Sequence, residues 1–159
     1  MKNKIPEFQK DFEDFISLCN KYELEYLVIG GFAVSIHGYP RTTKDLDVCI
    51  NKTEKNAEKM LIILKDFGFE SLNLKAEDFL KDNMIAQLGY SPIRIDILND
   101  LNGIDFNTAY KNKRIVKMNG VPTNFIGYSE LLINKEKAGR DQDILDVKIL
   151  KERNKLKIG

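Results

Sequence analysis

The sequence has few of the residues that mark specialised protein classes. It contains two cysteines, four prolines and one histidine in 159 residues, so neither a disulfide framework nor a proline-rich segment is indicated. The single histidine and two distant cysteines, Cys19 and Cys49, do not supply the ligand cluster of a zinc site. Because no secretion signal is recognisable, we expect both cysteines to be free, buried thiols.

Long apolar runs and an excess of charge of one sign are also missing. No stretch approaches the roughly 20 apolar residues that cross a bilayer, and the charged first 15 residues are unlike a signal peptide. We therefore expect a cytoplasmic protein that does not enter membranes. The formal net charge of +1 gives no general attraction for DNA or other nucleic acid. The length suits one domain over residues 1–159, with a core over about 24–126 and a helical tail over about 128–155.

Hydrophobic periodicity predicts alternating helices and strands in the first two-thirds of the chain. A hairpin around Asn119-Gly120 and two helices follow. The pattern therefore indicates an α+β fold, with a mixed sheet flanked by helices and a C-terminal helical segment. The predicted helices cover 5–22, 32–37, 53–65, 103–112, 129–138 (capped by Ser129) and 141–153, with a short helix or loop at 76–82. The predicted strands cover 24–29, 44–50, 69–74, 84–89, 92–99, 114–118 and 121–126.

Two adjacent glycines, Gly30 and Gly31, separate the first predicted strand from a short helix. Glycines at such a junction permit a tight turn and the close approach of a ligand to the backbone. The free N–H groups at the start of a helix suit an anion such as a triphosphate. Arg41 and Lys44 follow in a polar segment and are candidates for phosphate contacts. The alternatives are an ordinary turn at the glycines and a solvated loop at the cations.

Three aspartates occur in predicted strands, where this residue type is depleted. Asp45 and Asp47 are two residues apart and therefore share one face of their strand. Their repulsion would be offset by a divalent cation such as Mg²⁺, which prefers one or two carboxylates plus substrate phosphates. Asp96 repeats this situation on a later strand, beside Arg94. The competing interpretations are exposed acids on an edge strand and a simple Arg94–Asp96 pair on a solvent-exposed face.

The order of these features resembles the nucleotidyltransferase superfamily that includes DNA polymerase beta, and especially its minimal bacterial members. The mark of that family is an apolar strand, Gly-Gly or Gly-Ser, an acid–apolar–acid triplet, and a third acid on a later strand. The matching segments are 28–31, 45–48 and 94–98. Segments 30–47 and 132–146 look like the AbiEii toxin-type branch, and the chain length is similar to that of small lincosamide nucleotidyltransferases.

The resemblance covers residues 24–150 and implies an enzyme that transfers a nucleoside monophosphate from a nucleoside triphosphate (NTP) to a hydroxyl group. It implies catalytic and metal-binding roles for Asp45, Asp47 and Asp96, with Mg²⁺ or Mn²⁺ as the metal. The implied acceptor is an antibiotic-like small molecule, or RNA or protein if the chain is a toxin-type enzyme with a cognate antitoxin. The implied contacts to the nucleotide come from Gly30, Gly31, Ser35, Arg41, Lys44 and Lys135.

Other functions suit part of the same pattern. A non-catalytic module of this fold would bind a nucleotide or a partner without turnover. Phe32 favours that alternative, because many members have serine just after the first glycine, whereas the three intact aspartates oppose it. Asp-x-Asp also marks nucleotide-sugar glycosyltransferases, but these are usually larger and need no upstream Gly-Gly. A calcium-binding EF-hand is a weaker alternative still, since Asp45-Leu46-Asp47 lacks the further oxygen ligands and glycine of such a loop.

Several polar residues of the tail have structural interpretations. We expect Arg140, Asp143 and Asp146 to form an ion network that packs the last helices. Lys135 is either a triphosphate contact or a solvated helix lysine. His37 is expected to pack at the end of its short helix.

Overall fold

The computed structural model describes residues 8–91 and 93–158, with residues 157 and 158 described by their backbone alone. In these ranges helices and strands first alternate, two pairs of consecutive strands separated by a helix then follow, and two helices come last. The strands are β1 Tyr26–Ile29, β2 Leu46–Ile50, β3 Ile85–Leu88, β4 Ile95–Leu98, β5 Arg114–Met118 and β6 Val121–Phe125. The helices are α1 Lys10–Lys21, α2 Gly30–Ile36, α3 Glu54–Phe67, α4 Phe106–Lys111, α5 Tyr128–Ala138 and α6 Asp141–Ile158, with short 3-10 helices at Glu70–Leu72 and Ala76–Leu80.

The strands form one mixed sheet in the order β3-β4-β2-β1-β6-β5. β2 pairs with β1 in antiparallel and with β4 in parallel orientation, and β1 pairs with β6 in parallel orientation. Parallel neighbours cannot be joined by a tight turn, and α3 with β3 makes the crossover between β2 and β4. The mixed sheet flanked by helices, followed by the C-terminal helices, confirms the predicted fold class.

Alternation along the two central strands places their apolar side chains in the core. Leu46 and Val48 of β2 are fully buried, as is Ile97 of β4, and Ile95 is 1% exposed. Complete burial of one such side chain contributes about 1.5–3 kcal/mol. The intervening acidic residues, Asp47 among them, are only half-buried. The hydrophobic pattern therefore fixes which face of these strands carries the acids.

The side chain of Phe32, the third residue of α2, is part of the hydrophobic core. It is 1% exposed, and its ring meets the rings of Phe8 and Phe12 edge to face, with centroid separations of 5.0 and 5.8 Å. Edge-to-face pairs of this kind add about 0.5–1.5 kcal/mol beyond burial. The aromatic residue after the glycine pair therefore packs α2 against α1.

Local sequence signals set several ends of these elements. The Thr53 side chain accepts a hydrogen bond from the Asn56 N–H and caps α3, which ends at Gly68 with a φ of 94°. Gly139 ends α5 in the same left-handed conformation. In the hairpin between β5 and β6, Asn119 and Gly120 both have positive φ, as a type I′ turn requires. These boundaries confirm the corresponding predictions.

Other predicted boundaries were wrong. The predicted strand 69–74 is a 3-10 helix, and Asn73 after it has a φ of 53°, which interrupts an extended strand. Gly127, not Ser129, is the N-cap residue of α5. β2 begins at Leu46, so Asp45 precedes the strand and does not belong to it. The predictions for residues 5–7 and for Pro92 fall outside the described residues.

None of the helices in the described part of the chain is both long enough and apolar enough to span a bilayer.

Candidate functional site

The candidate site begins at the point where β1, β2 and β4 lie side by side. Asp47 of β2 is the register partner of Asp96 in the parallel strand β4. Residues at matching positions of adjacent parallel strands project to the same face, so the two carboxylates are neighbours. Ile29, the last residue of β1, pairs with Asp47 from the other side. The glycine pair that starts α2 is consequently held directly beside the Asp47 carboxylate.

Gly30 is required at this position by the Asp47 side chain. Its φ is +69°, and a Cβ added there would lie 2.1 Å from Asp47 Oδ2. At Gly31, an added Cβ would lie 2.4 Å from the hydroxyl oxygen of Thr43. The sequence predicts that a ligand comes close to the backbone at this glycine pair. In the structure, the groups that come close to it are the side chains of Asp47 and Thr43. Sequence reasoning missed Thr43, although it stands in the polar segment just before Asp45.

The environment of Asp47 opposes its ionisation. Burial raises the pKa of Asp47 to about 7, with help from the negative charges of Asp96 and Asp45 and from a hydrogen bond between the Asp47 and Asp96 carboxyl groups; Lys135 acts in the opposite direction. A carboxylate in this condition gains most from a nearby cation. Asp47 has no ion pair within 4 Å among residues 8–91 and 93–158.

Arg94 neutralises the other two acids. Its Nε and Nη2 donate to the two carboxylate oxygens of Asp96 at 2.8 and 3.1 Å, and Nη2 lies 3.2 Å from Asp45 Oδ2. The Ser91 hydroxyl lies 3.2 Å from each Asp45 oxygen. The Arg94–Asp96 pair foreseen as a competing interpretation is thus present. It is not on a freely solvated face, since the Asp96 side chain is only 14% exposed.

The donor set suits a hard divalent ion at Asp47 better than a metal cluster. Mg²⁺ takes oxygen ligands and is commonly held by one or two carboxylates plus substrate phosphates, and Asp47 with Asp96 supplies such a pair. Among the residues that the structure describes, no group of three or more His, Cys, Asp or Glu side chains is arranged to hold a metal ion. Asp45 and Asp96 are instead paired with Arg94.

The last two helices contribute a buried ion network. Lys135 of α5 lies 3.1 Å from Asp143 and 3.0 Å from Asp146 of α6. Arg41, before β2, reaches Asp146 at 3.2 Å, and Arg140 binds Asp143 at 2.8 Å. The predicted network of Arg140, Asp143 and Asp146 is confirmed. The Lys135 side chain is 8% exposed, so the alternative of a solvated lysine was wrong.

These ionic contacts fix the charge state of the wall that α6 presents. Burial raises the pKa of Asp143, but hydrogen bonds from Arg140 and Lys135 outweigh that effect, and the pKa is lowered overall. Asp146 is fully buried and also accepts a hydrogen bond from Gln142 at 2.8 Å. A buried, multiply paired network of this type holds its members in one geometry. Lys135 is therefore a positioned cation.

Two adjoining cavities meet at the aspartates. The larger, about 460 Å³, has Arg41, Lys44, Arg94 and Arg140 in its wall. The smaller, about 250 Å³, adds Gln87, Asp100, Asn102 and Asn134. Both are lined by Gly30, Asp47, Asp96, Lys135, Arg140 and Asp143.

Of the residues predicted from sequence, most line the larger cavity: Gly30, Gly31, Arg41, Lys44, Asp45, Asp47, Asp96 and Lys135. Ser35 does not. It is 1% exposed, and its hydroxyl donates to the backbone carbonyls of Gly31 and Arg41 at 3.0 and 3.4 Å. Its position does not support the predicted phosphate contact, and the residue instead ties α2 to the segment before β2.

The short helix α2, His37 and the two cysteines are also features about which the sequence makes predictions. α2 has only seven residues, so the positive potential at its N-terminus is small. His37 is buried, with Nε2 2.7 Å from the Ile126 carbonyl oxygen, which agrees with a packing role. Cys19 and Cys49 are free and buried, as predicted.

A third and larger cavity lies away from the aspartates. It has a volume of about 590 Å³ and is bounded by α1, the end of α3 and the turn between β3 and β4. Neither Asp47 nor Asp96 lines it. Size alone would favour this cavity as a ligand site, but the convergent charged groups are in the other two.

Comparison with known proteins identifies the fold. No protein-family model matches the sequence, and no curated protein matches it significantly. Among solved structures, a proposed nucleotidyltransferase (TM1012) from Thermotoga maritima superposes with a TM-score of 0.59 at 18% identity, covering 89% of this chain and 91% of that one. An antigenic nucleotidyltransferase-like protein from Paracoccidioides brasiliensis gives 0.56 at 15% identity, covering 91% and 78%.

The lincosamide antibiotic adenylyltransferase LnuA, solved with lincomycin bound, also superposes. Its TM-score is 0.54 at 13% identity, covering 91% of this chain and 97% of LnuA. All three identities are low, so the likeness concerns the arrangement of helices and strands. The chain therefore has the nucleotidyltransferase fold.

Proposed function

We propose that this protein is a metal-dependent nucleotidyltransferase, which transfers a nucleoside monophosphate from an NTP to a hydroxyl acceptor. The observation that carries the proposal is the register of β2 and β4, which places Asp47 beside Asp96 in cavities lined by cations. Three solved structures with the same fold are described as nucleotidyltransferases or nucleotidyltransferase-like proteins. Fold alone does not establish an activity, so the site residues are the stronger support.

Within this proposal each side chain has a task that suits its position. Asp47, together with Asp96, would hold Mg²⁺ or Mn²⁺, which supplies charge neutralisation for the triphosphate when bound. Lys135, fixed by two buried acids, faces the same space and would bind phosphate oxygens together with Lys44. These cations stabilise the negative charge that grows on the phosphates as the reaction proceeds.

The chemical step is an in-line displacement. The acceptor oxygen attacks the α-phosphorus, the bond to the β-phosphate bridging oxygen breaks, and pyrophosphate leaves. The acceptor hydroxyl must lose its proton, and we assign the role of base to the carboxylate of Asp96, the register partner of Asp47. Arg94 holds both Asp96 oxygens and orients that carboxylate.

A small hydroxylated molecule is the acceptor class that we favour. LnuA binds an antibiotic of this kind, and this chain covers 97% of it. The smaller cavity, about 250 Å³, carries side-chain amides and Asp100, which can accept hydrogen bonds from hydroxyl or amino groups. The alternative is the one implied by the resemblance to the AbiEii toxin-type branch. It is a toxin-type enzyme that modifies RNA or protein and has a cognate antitoxin.

The non-catalytic alternative rested on Phe32 in place of serine. In the structure Phe32 is buried among aromatic rings, so it neither blocks the cavities nor replaces a ligand within them. The ionisable groups of the site are all retained. Phe32 therefore does not stand against turnover, and the pyrophosphate assay decides between the two functions.

The experiment is an assay of pyrophosphate release with each of the four NTPs, Mg²⁺ or Mn²⁺, and panels of lincosamides, aminoglycosides and RNA. We expect release that requires an acceptor and falls roughly a hundredfold or more in Asp47→Asn. Glu58→Gln, which removes an exposed carboxylate from α3, is the matched control and should retain full activity.

Three outcomes separate the candidates. NTP binding without pyrophosphate release, with every acceptor, would support the non-catalytic module. Release that survives Asp47→Asn would remove the proposed site. Growth arrest on expression in bacteria, relieved by Asp47→Asn, would identify the toxin-type enzyme.

A further inference from the structure

Arg94 occupies a position that the proposed function does not explain. It stands two residues before Asp96 on the same side of the sheet, and its guanidinium lies between Asp45 and Asp96, 3.2 Å from one and 2.8 Å from the other. The two acids have side-chain exposures of only 24% and 14%. A guanidinium fork bound to both oxygens of one carboxylate and to a second carboxylate is a strongly held cation.

The distribution of partners among the three acids is uneven. Asp96 gives both oxygens to Arg94, and Asp45 is shared by Arg94 and the Ser91 hydroxyl. Asp47 has no ion pair within 4 Å among residues 8–91 and 93–158, and Lys135, Arg94 and Arg140 act on its charge only from a greater distance. A further cation could therefore bind beside Asp47. The position between Asp45 and Asp96 is already occupied by the Arg94 guanidinium.

We propose that the Arg94 guanidinium serves as the second cation of this site, so that the chain binds a single divalent ion, at Asp47, where a three-carboxylate site would bind two. The proposal rests on the proposed function, since it concerns the same aspartates. Its basis is independent of turnover: two ion pairs of Arg94, and the absence, among residues 8–91 and 93–158, of a metal-ready group of three acids.

Substrate contacts follow from this arrangement. Arg94 lines the larger cavity and its side chain is 31% exposed, so donors that do not face the acids remain available to a ligand. An arginine has five N–H donors, and the two acids use only part of them. Arg94 can therefore neutralise the acids and contact a phosphate oxygen at once, which is the part a second metal ion plays in other sites.

The test counts ions in the full-length, metal-free protein, with Mn²⁺ alone as the probe and electron paramagnetic resonance of free Mn²⁺ as the readout. We expect the unaltered chain to bind one Mn²⁺ per molecule. Arg94→Met, which frees Asp45 and Asp96, should bind two, with the second at least tenfold tighter than any further binding to the unaltered chain. Arg94→Lys keeps the charge and should retain a count near one.

Arg140→Met is the matched control. It removes the same charge from the same cavity, but its partner is Asp143, so its count should stay at one. A count of two in the unaltered chain overturns the proposal, and so does an equal rise in Arg140→Met. Either result leaves the proposed activity intact, because pyrophosphate release is measured separately. If no Mn²⁺ binds at all, the single-ion site is refuted, and the activity is decided by the separate pyrophosphate assay, in which NTP phosphates also take part.

Discussion

Asp47 lies in a place where its ionisation should destabilise the metal-free protein, and this cost can be measured. Its pKa is raised from 3.8 to about 7. One pKa unit corresponds to about 1.4 kcal/mol, so the ionised form lowers the free energy of unfolding by up to roughly 4 kcal/mol. Asp47→Asn cannot ionise. We expect this substitution to stabilise the metal-free protein at pH 8 by about 2–4 kcal/mol.

The sign of the pH dependence follows from proton binding. Between pH 3.8 and about 7, the folded chain keeps a proton on Asp47 that the unfolded chain has lost. The stability of the unaltered protein therefore falls as the pH rises through this window and is constant with respect to Asp47 above it. The advantage of Asp47→Asn should be small near pH 4, grow up to pH 7, and then level off.

The assay is urea unfolding in EDTA at four pH values from 5 to 8, with Glu58→Gln as the control for loss of one carboxylate. Adding Mg²⁺ at pH 8 should then stabilise the unaltered protein and leave Asp47→Asn unchanged, since a ligand that binds only the folded state adds stability by mass action. An advantage of Asp47→Asn that is equal at pH 5 and pH 8, or absent at pH 8, would refute the assignment of a destabilising charge to Asp47.

Two further substitutions test how the site is built. Gly30→Ala should cost about 1–2 kcal/mol, from left-handed strain and from the displaced carboxylate beside it, and should abolish Mn²⁺ binding; urea unfolding and Mn²⁺ titration measure both effects. Lys135→Met should lower the free energy of unfolding by about 3 kcal/mol, because it leaves buried carboxylates short of a counter-charge; urea unfolding at neutral pH measures it.

Each of these substitutions has a control in the chain. Gly68 also has positive φ, at +94°, but an added Cβ would meet nothing within 4 Å. Gly68→Ala should therefore cost only the strain and retain Mn²⁺ binding. Lys151 pairs with Glu136 at 3.6 Å on an exposed surface, so Lys151→Met should cost less than about 1 kcal/mol. If either control matches its test variant, the corresponding argument fails.

The candidate site was largely predictable from sequence, because its main members obey local rules. Alternation in β2 and β4 determines that Asp47 and Asp96 project away from the core face occupied by Leu46, Val48 and Ile97. A glycine pair between a strand and a helix indicates an unusual backbone conformation, and Gly30 indeed has positive φ. Each of these inferences depends only on neighbours within a few residues along the chain.

The roles of other residues depended on partners that are distant in sequence. Ser35 follows the glycine pair as a phosphate ligand would, yet its hydroxyl is used by the backbone at Gly31 and Arg41. For Lys135 the sequence left open a triphosphate contact or a solvated helix lysine, and the structure shows it buried and paired with two acids of the next helix. The predicted strand 69–74 failed for a different reason, since a short apolar run does not reveal the turn that interrupts it.

The sequence by itself determined the fold class, the order of most helices and strands, and the face of the sheet on which Asp47 and Asp96 lie. Periodicity carries that information because core burial acts on each residue separately. Only the tertiary structure decided that Asp47, within the described part of the chain, is the acid of this site without a close ion pair, that Arg94 joins Asp45 to Asp96, and that Phe32 packs into the core. These facts depend on which strands become neighbours and how side chains meet across them, and local pattern does not encode either.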